Sequence, residues 1–195
     1  MKRRLFYVGY EIGQRAALRS EDGEPGKSSV GWRVTGHELV GGNTVLPLYN
    51  GDIAYPQMLQ AIQRAKQRVF LATYILKMDS VGTQFADALQ EAVARGVDVR
   101  VLVDGFGELY SWPRPSSALG KRGIVTSRFL PPRLVPPSIY LNMRNHRKIL
   151  LVDDTVAFAG GMNISDDHVG GSGQRRVSDV AFAVRCPNGP YLAGV

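Results

Sequence analysis

The chain has 195 residues, enough for one sizeable core, and 44% of them are hydrophobic, which excludes a disordered composition. Its formal charge of +7 directs attention to anionic partners: a phosphodiester, a phospholipid surface or a nucleic acid. The single cysteine, Cys186, excludes an internal disulfide and a cysteine-rich zinc cage, and no apolar run approaches the length of a membrane span.

Residues 1–40 are expected to be a leader and linker ahead of one domain over 41–195. The opening MKRRLFYVGYEIG is basic and then briefly apolar, but Glu11 and the lack of a clear cleavage site argue against a signal peptide. RSEDGEPGKSS, at 19–29, has the composition of a linker or exposed loop, and its GKSS lacks the glycine pattern of a phosphate-binding P-loop. TVLPLY predicts a short strand. GDIAYPQMLQAIQRAKQR sets Met58, Leu59, Ile62 and Ala65 at helical spacing, with Pro56 placed in a first turn. VFLATYIL, at 69–76, is a continuous apolar run, the mark of a strand covered on both faces. GTQFADALQEAVARG repeats the helical pattern through Phe85, Leu89, Ala92 and Val93, and Gly96 is its natural stop.

VDVRVLVDG is the next strand, so strand, helix and strand make a βαβ unit with parallel pairing. A loop and a short helix, SSALGKRG, lead to the strand IVTSRFL. PPRLVPP is expected to forbid regular structure and to form a long loop. Two strands follow at 148–153 and 155–159, joined by a tight Asp153–Asp154 turn, and VSDVAFAV supplies one more. The fold class is α/β, a mixed sheet layered with helices.

NHRKILLVDDTVAFAGGMN, residues 145–163, carries the chemistry. On a strand, residues two apart face the same way, so His146 and Lys148 share a side while Ile149 and Leu151 take the other. A neutral imidazole attacks phosphorus, and an ammonium two residues on holds the phosphate oxygens whose charge grows. Arg144, Arg147, Arg175 and Arg176 gather more positive charge nearby in sequence. Asp153 has the opposite parity to His146 and falls at the turn. By geometry alone it is a corner residue that bonds backbone or neighbouring cations. Gly160 and Gly161 permit close approach of backbone to a ligand, and Asn163 has an amide to offer a phosphate oxygen.

The spacing His-x-Lys-x4-Asp-x6-Gly-Gly-x-Asn, met by His146, Lys148, Asp153, Gly160, Gly161 and Asn163, resembles the signature of the phospholipase D superfamily. NMRNHRK and GGMNISDD, with the strands and helices upstream, resemble its cardiolipin synthase branch over roughly residues 41–190. The resemblance implies a phospholipase D-like mixed sheet flanked by helices on both faces. It implies a double displacement in which one histidine becomes a phosphohistidine and a second protonates the leaving alcohol. His146 then matches the nucleophile and Lys148 the phosphate-binding lysine, and Asp153 joins the catalytic set by motif position. Asp179 stands where such enzymes place the carboxylate that orients the histidine. His37 and His168 match no catalytic position; His168, beside a Gly-rich loop, is a candidate to line an entrance. No cofactor and no metal is implied, because lysines supply the positive charge.

The pattern departs from the family in one respect. Such a site needs two His-Lys-Asp motifs, and only one is present. The second motif is expected from a missing C-terminal half or from a homodimer partner, as in single-motif nucleases of the superfamily. The ending RCPNGPYLAGV stops where similar proteins begin a helix after Gly-Pro, which favours a first half cut short. The expected function is phosphatidyl transfer on anionic phospholipid at a peripheral membrane surface, cytoplasmic and on the inner membrane. A homodimeric nuclease acting on nucleic acid, or an incomplete fragment that only binds anionic lipid, are the alternatives.

Overall fold

A computed structural model describes residues 42–134, 137–138, 143–170 and 177–186. The leader at 1–40 with His37, and the pair Arg175 and Arg176, lie outside the described residues. Seven strands form one mixed sheet in the order β1-β9-β8-β7-β2-β3-β4. β1 (Thr44–Tyr49) runs antiparallel to β9 (Val180–Arg185). β2 (Arg68–Thr73), β3 (Asp98–Asp104) and β4 (Val125–Phe129) are parallel. β7 (Ile149–Val152) joins this parallel set to the antiparallel half by pairing with β2 and with β8 (Val156–Gly160).

Helix α1 (Asn50–Arg64) starts directly from β1, with Asn50 at φ 62°, a left-handed conformation that asparagine tolerates. This early start is why Pro56 lies in the interior of the helix and not in the first turn that the sequence predicts. Its ring is on the exposed side. Helix α2 (Ser80–Ala94) is capped by Asp79, whose carboxylate accepts the Gly82 N–H at 3.0 Å. Gly96 ends the turn behind it at φ 83°, as its position predicts. The short helix α3 (Pro115–Gly120) precedes β4.

One face of the sheet holds the core. Val69, Leu71, Val99, Val101, Val103, Leu150 and Val152 pack there against Tyr55, Ile62, Phe85 and Leu89, and α3 adds Leu119 to the same cluster. Tyr55 meets the Phe85 ring edge-on at 5.6 Å, and each such buried large side chain contributes about 1.5–3 kcal/mol. The other face is different. Phe70, Ala72, Leu102 and Ile149 are only half-buried and line an apolar groove of about 570 Å³. β2, expected to be covered on both sides, is therefore covered on one by the described residues.

Between β4 and the motif, β5 (Arg133–Leu134) and β6 (Pro137–Ser138) form a two-residue antiparallel ladder. The sequence predicts no regular structure there; a ladder this short needs few N–H donors, so proline does not forbid it. The β7–β8 hairpin follows the sequence closely. Asp153 and Asp154 occupy its corner at φ 49° and 56°, the positive values a tight hairpin demands.

Candidate active site

The motif enters the sheet through residues 143–148, which run without regular structure into β7. Lys148 is buried on the same side as Leu150 and Val152, so the alternation read from sequence extends one residue ahead of the strand. Its Nζ donates to the His146 carbonyl at 3.1 Å and lies 5.3 Å from the centroid of the Tyr74 ring. The His146 imidazole sits against the same ring, centroids 5.0 Å apart, and is itself exposed to solvent. One tyrosine thus supports a solvent-facing imidazole and a desolvated ammonium. Burial pushes the Lys148 pKa down, and the charge of Asp179 works against that shift. No carboxylate stands within ion-pair distance of Lys148 among the described residues.

The glycines bring β8 and β9 together beneath this pair. A Cβ on Gly160 would overlap the Val180 carbonyl oxygen, and one on Gly161 would lie 2.5 Å from Asp179 Oδ1. Asp179 is fixed by the start of α1: its N–H donates to Asn50 Oδ1 at 3.1 Å and its carbonyl accepts the Asn50 N–H at 2.9 Å. Its Oδ1 accepts the neighbouring Val180 N–H at 2.7 Å. No hydrogen bond joins Asp179 to the His146 ring among the described residues. Asn163 accepts the Ile75 N–H through Oδ1 at 3.2 Å, and its carbonyl accepts the Tyr55 hydroxyl at 2.7 Å. The contact seen therefore uses the oxygen end of the amide, bracing the loop after β2, whereas the sequence singled out the nitrogen end.

Arg144 is largely buried. Its Nη1 reaches Asp104 Oδ1 at 3.4 Å and the Leu130 carbonyl at 3.3 Å, and its guanidinium lies 5.2 Å from the Phe106 ring centre. Its Nε and Nη2 are buried without a hydrogen-bond partner among the described residues. Sequence reasoning missed Asp104, Tyr74 and Asn50. Only Asp104 carried a signal, being a carboxylate at the C-terminal end of a parallel strand, where ligands of open α/β sheets gather. His168 is buried in a short turn with Nδ1 unpaired among the described residues, so it does not line an entrance at the surface.

Asp153 is not brought to His146. It sits at the opposite end of β7, where its carboxylate accepts the N–H groups of Lys66 at 2.9 Å, Gln67 at 2.8 Å and Arg68 at 3.0 Å. Partial burial alone would raise its pKa. The three N–H groups and the charge of Lys66 together outweigh that, holding the carboxyl below its ordinary value. A carboxyl held low in the folded state stabilises above the pKa of the unfolded chain and loses that contribution as pH falls through its folded value. Asp153→Ala is expected to cost about 2–4 kcal/mol in urea unfolding at neutral pH. The stability gap between wild type and Asp153→Asn should narrow as the solution is taken into acid. A gap that stays constant would show that the ionised carboxylate is not what the loop requires.

A family model described as cardiolipin synthase, PLD-like domain, matches residues 58–174. Cardiolipin synthase B of Salmonella typhimurium is 37% identical over 170 residues, covering 85% of this chain and 38% of that protein. Cardiolipin synthase 1 of Bacillus anthracis is 38% identical over 125 residues, 64% of this chain and 25% of that protein. The chain thus spans well under half the length of the relatives it matches. Among solved structures, Nuc from Salmonella typhimurium, a phospholipase D family member, superposes with a TM-score of 0.54 at 21% identity, over 73% of this chain and 83% of that one. NucT from Helicobacter pylori superposes with a TM-score of 0.59 at 16% identity, over 75% and 87% respectively. At these identities the structural likeness establishes the α/β fold with its mixed sheet.

Proposed function

The chain belongs to the cardiolipin synthase family of phospholipase D-like domains, and from that membership we propose that it forms one half of a phosphodiester-transfer site acting on anionic phospholipid. The observation that carries the reading is the shared support of His146 and Lys148 on Tyr74, an exposed imidazole beside a buried ammonium. In the first step His146 attacks phosphorus. The P–N bond forms as the P–O bond to the leaving alcohol breaks, and that oxygen takes a proton from a second histidine. In the second step an incoming alcohol, or water, gives its proton to that same histidine and attacks phosphorus. The new P–O bond forms and the P–N bond breaks. Lys148 holds the non-bridging oxygens as their charge rises; its desolvation strengthens that attraction. Asp179 tempers the charge of this cluster.

The second histidine comes from the partner copy of a homodimer or from a second motif beyond this stretch. Attachment to lipid is peripheral, on the cytoplasmic side of the inner membrane, with the exposed Arg147 among the cations that meet the headgroups. No helix among the described residues is long and apolar enough to cross a membrane.

Sedimentation equilibrium of the purified chain establishes whether a two-histidine site is assembled, since a dimer has twice the 21.4 kDa of one copy. Under the conditions that give a dimer, or with a second-motif half supplied, a short-chain phosphatidylglycerol is expected to leave an acid-labile phosphatidyl adduct on His146, read by mass spectrometry. An assembled site with neither adduct nor turnover removes the reading. Cleavage of DNA or RNA that weakens steeply with salt, without turnover of lipid, would move the substrate class to nucleic acid.

A further inference from the structure

Asp104 ends β3 with its side chain fully buried. Its two oxygens do different things. Oδ1 accepts the N–H groups of Phe106 at 2.9 Å and Gly107 at 3.0 Å, closing the turn that follows the strand. Oδ2 accepts the Asn145 N–H at 3.0 Å. The Arg144 side chain approaches Oδ1 at 3.4 Å, and the Arg144 carbonyl accepts the His146 N–H at 3.0 Å. One carboxylate therefore holds both residues that precede His146. It does so from β3, reaching past the end of β2 to the segment that leads into β7.

We propose that Asp104 is a positioning residue for His146, an inference that rests on the reading of His146 as the nucleophile. The need for such an anchor follows from the local chain. Residues 143–147 make no ladder hydrogen bonds among the described residues; the ladder begins at Lys148, whose carbonyl accepts the Gly160 N–H at 3.3 Å, and the imidazole is exposed. A nucleophile must be held close to its line of attack, and a misplacement of about 1 Å costs roughly 100-fold in rate. Lys148 restrains the His146 carbonyl from one side, through the 3.1 Å bond from Nζ. Asp104 restrains the chain from the other. A carboxylate suits this place because it offers acceptors in two directions at once, one toward its own turn and one toward the motif.

Asp104→Asn separates the two uses. The amide keeps one oxygen for the Phe106 and Gly107 N–H groups and sets a donor against the Asn145 N–H, so the turn survives, the Asn145 link is lost, and Arg144 is left facing an uncharged oxygen. Backbone ¹⁵N relaxation on the full chain is the direct readout, with Phe106 and Gly107 as the internal reference. Order at residues 145–147 is expected to fall while Phe106 and Gly107 keep wild-type values. In the assembled site, kcat is expected to fall roughly 100-fold with KM nearly unchanged. Wild-type order at His146 in the folded variant overturns the proposal, as does a rise in KM with kcat unaltered. Should Asp104→Asn fail to fold, amide hydrogen exchange on the wild-type chain takes its place: the Asn145 N–H is expected to be protected as strongly as those of Phe106 and Gly107, and exchange at the unprotected rate overturns the proposal equally. A wild-type protein without turnover refutes the transfer reading alone, because the relaxation arm needs no catalysis.

Discussion

Replacing His146 by alanine is expected to lower phosphatidyl transfer by roughly 10³-fold or more while leaving the fold intact. The imidazole is exposed and meets the protein through the Tyr74 ring, so its removal opens no cavity. Stability should change by no more than about 0.5 kcal/mol. Lys148 keeps its bond to the backbone carbonyl of residue 146, which any side chain there preserves. The substrate phosphate therefore still has its ammonium, and KM should hold while kcat collapses. Steady-state kinetics on a short-chain phosphatidylglycerol, with a thermal melt of the same sample, separate these effects. Transfer at the wild-type rate by His146→Ala would end the phosphohistidine mechanism for this chain.

The second large effect is on folding. Gly107→Ala is expected to destabilise the domain by about 3–5 kcal/mol, enough to unfold a marginal protein. A Cβ at this position would overlap the carbonyl oxygen of Tyr74. That atom is backbone, at the end of β2, and cannot turn aside as a side chain would. The loops at the ends of β2 and β3 are packed back to back, and glycine is what allows it. Any shift that relieves the overlap either breaks the Gly107 N–H bond to Asp104 or moves Tyr74, on which His146 and Lys148 both rest. Gly120→Ala is the control, since nothing lies within 4 Å of a Cβ there. Denaturant midpoints of the two variants measure the difference, and near-wild-type stability for Gly107→Ala would mean that these loops are less tightly bound than their geometry requires.

What the sequence made legible was periodicity. Strand parity put His146 and Lys148 on the side opposite Ile149 and Leu151, and the paired aspartates announced the hairpin corner; which side faces the core was not legible, because Ile149–Val152 are all apolar. Gly96 marked a helix end by local chemistry, whereas the Asp79 cap at the start of the same helix was not read from the sequence. What stayed hidden depended on meetings between distant segments. Asp104 lies 41 residues from Asn145, and nothing in its neighbours reveals that contact. Asn50 looks like an ordinary turn residue until its side chain is seen holding Asp179. Asp153 shows two kinds of sequence argument diverging. Motif spacing groups it with His146, whereas strand parity and turn chemistry separate them. Its hydrogen bonds to Lys66, Gln67 and Arg68 follow the parity.

That separation gives the motif a meaning as a measure of length. Asp153 staples one end of β7 to the loop before β2, and His146 and Lys148 stand beyond the other end. Between them lie the four residues Ile149–Val152, a rigid rule marked at roughly 3.3 Å per residue. Because successive marks face opposite ways, removing or adding a single one would not merely draw His146 nearer or push it away. It would rotate the histidine and its lysine through the sheet, out of the company of Tyr74 and onto the side of the apolar groove.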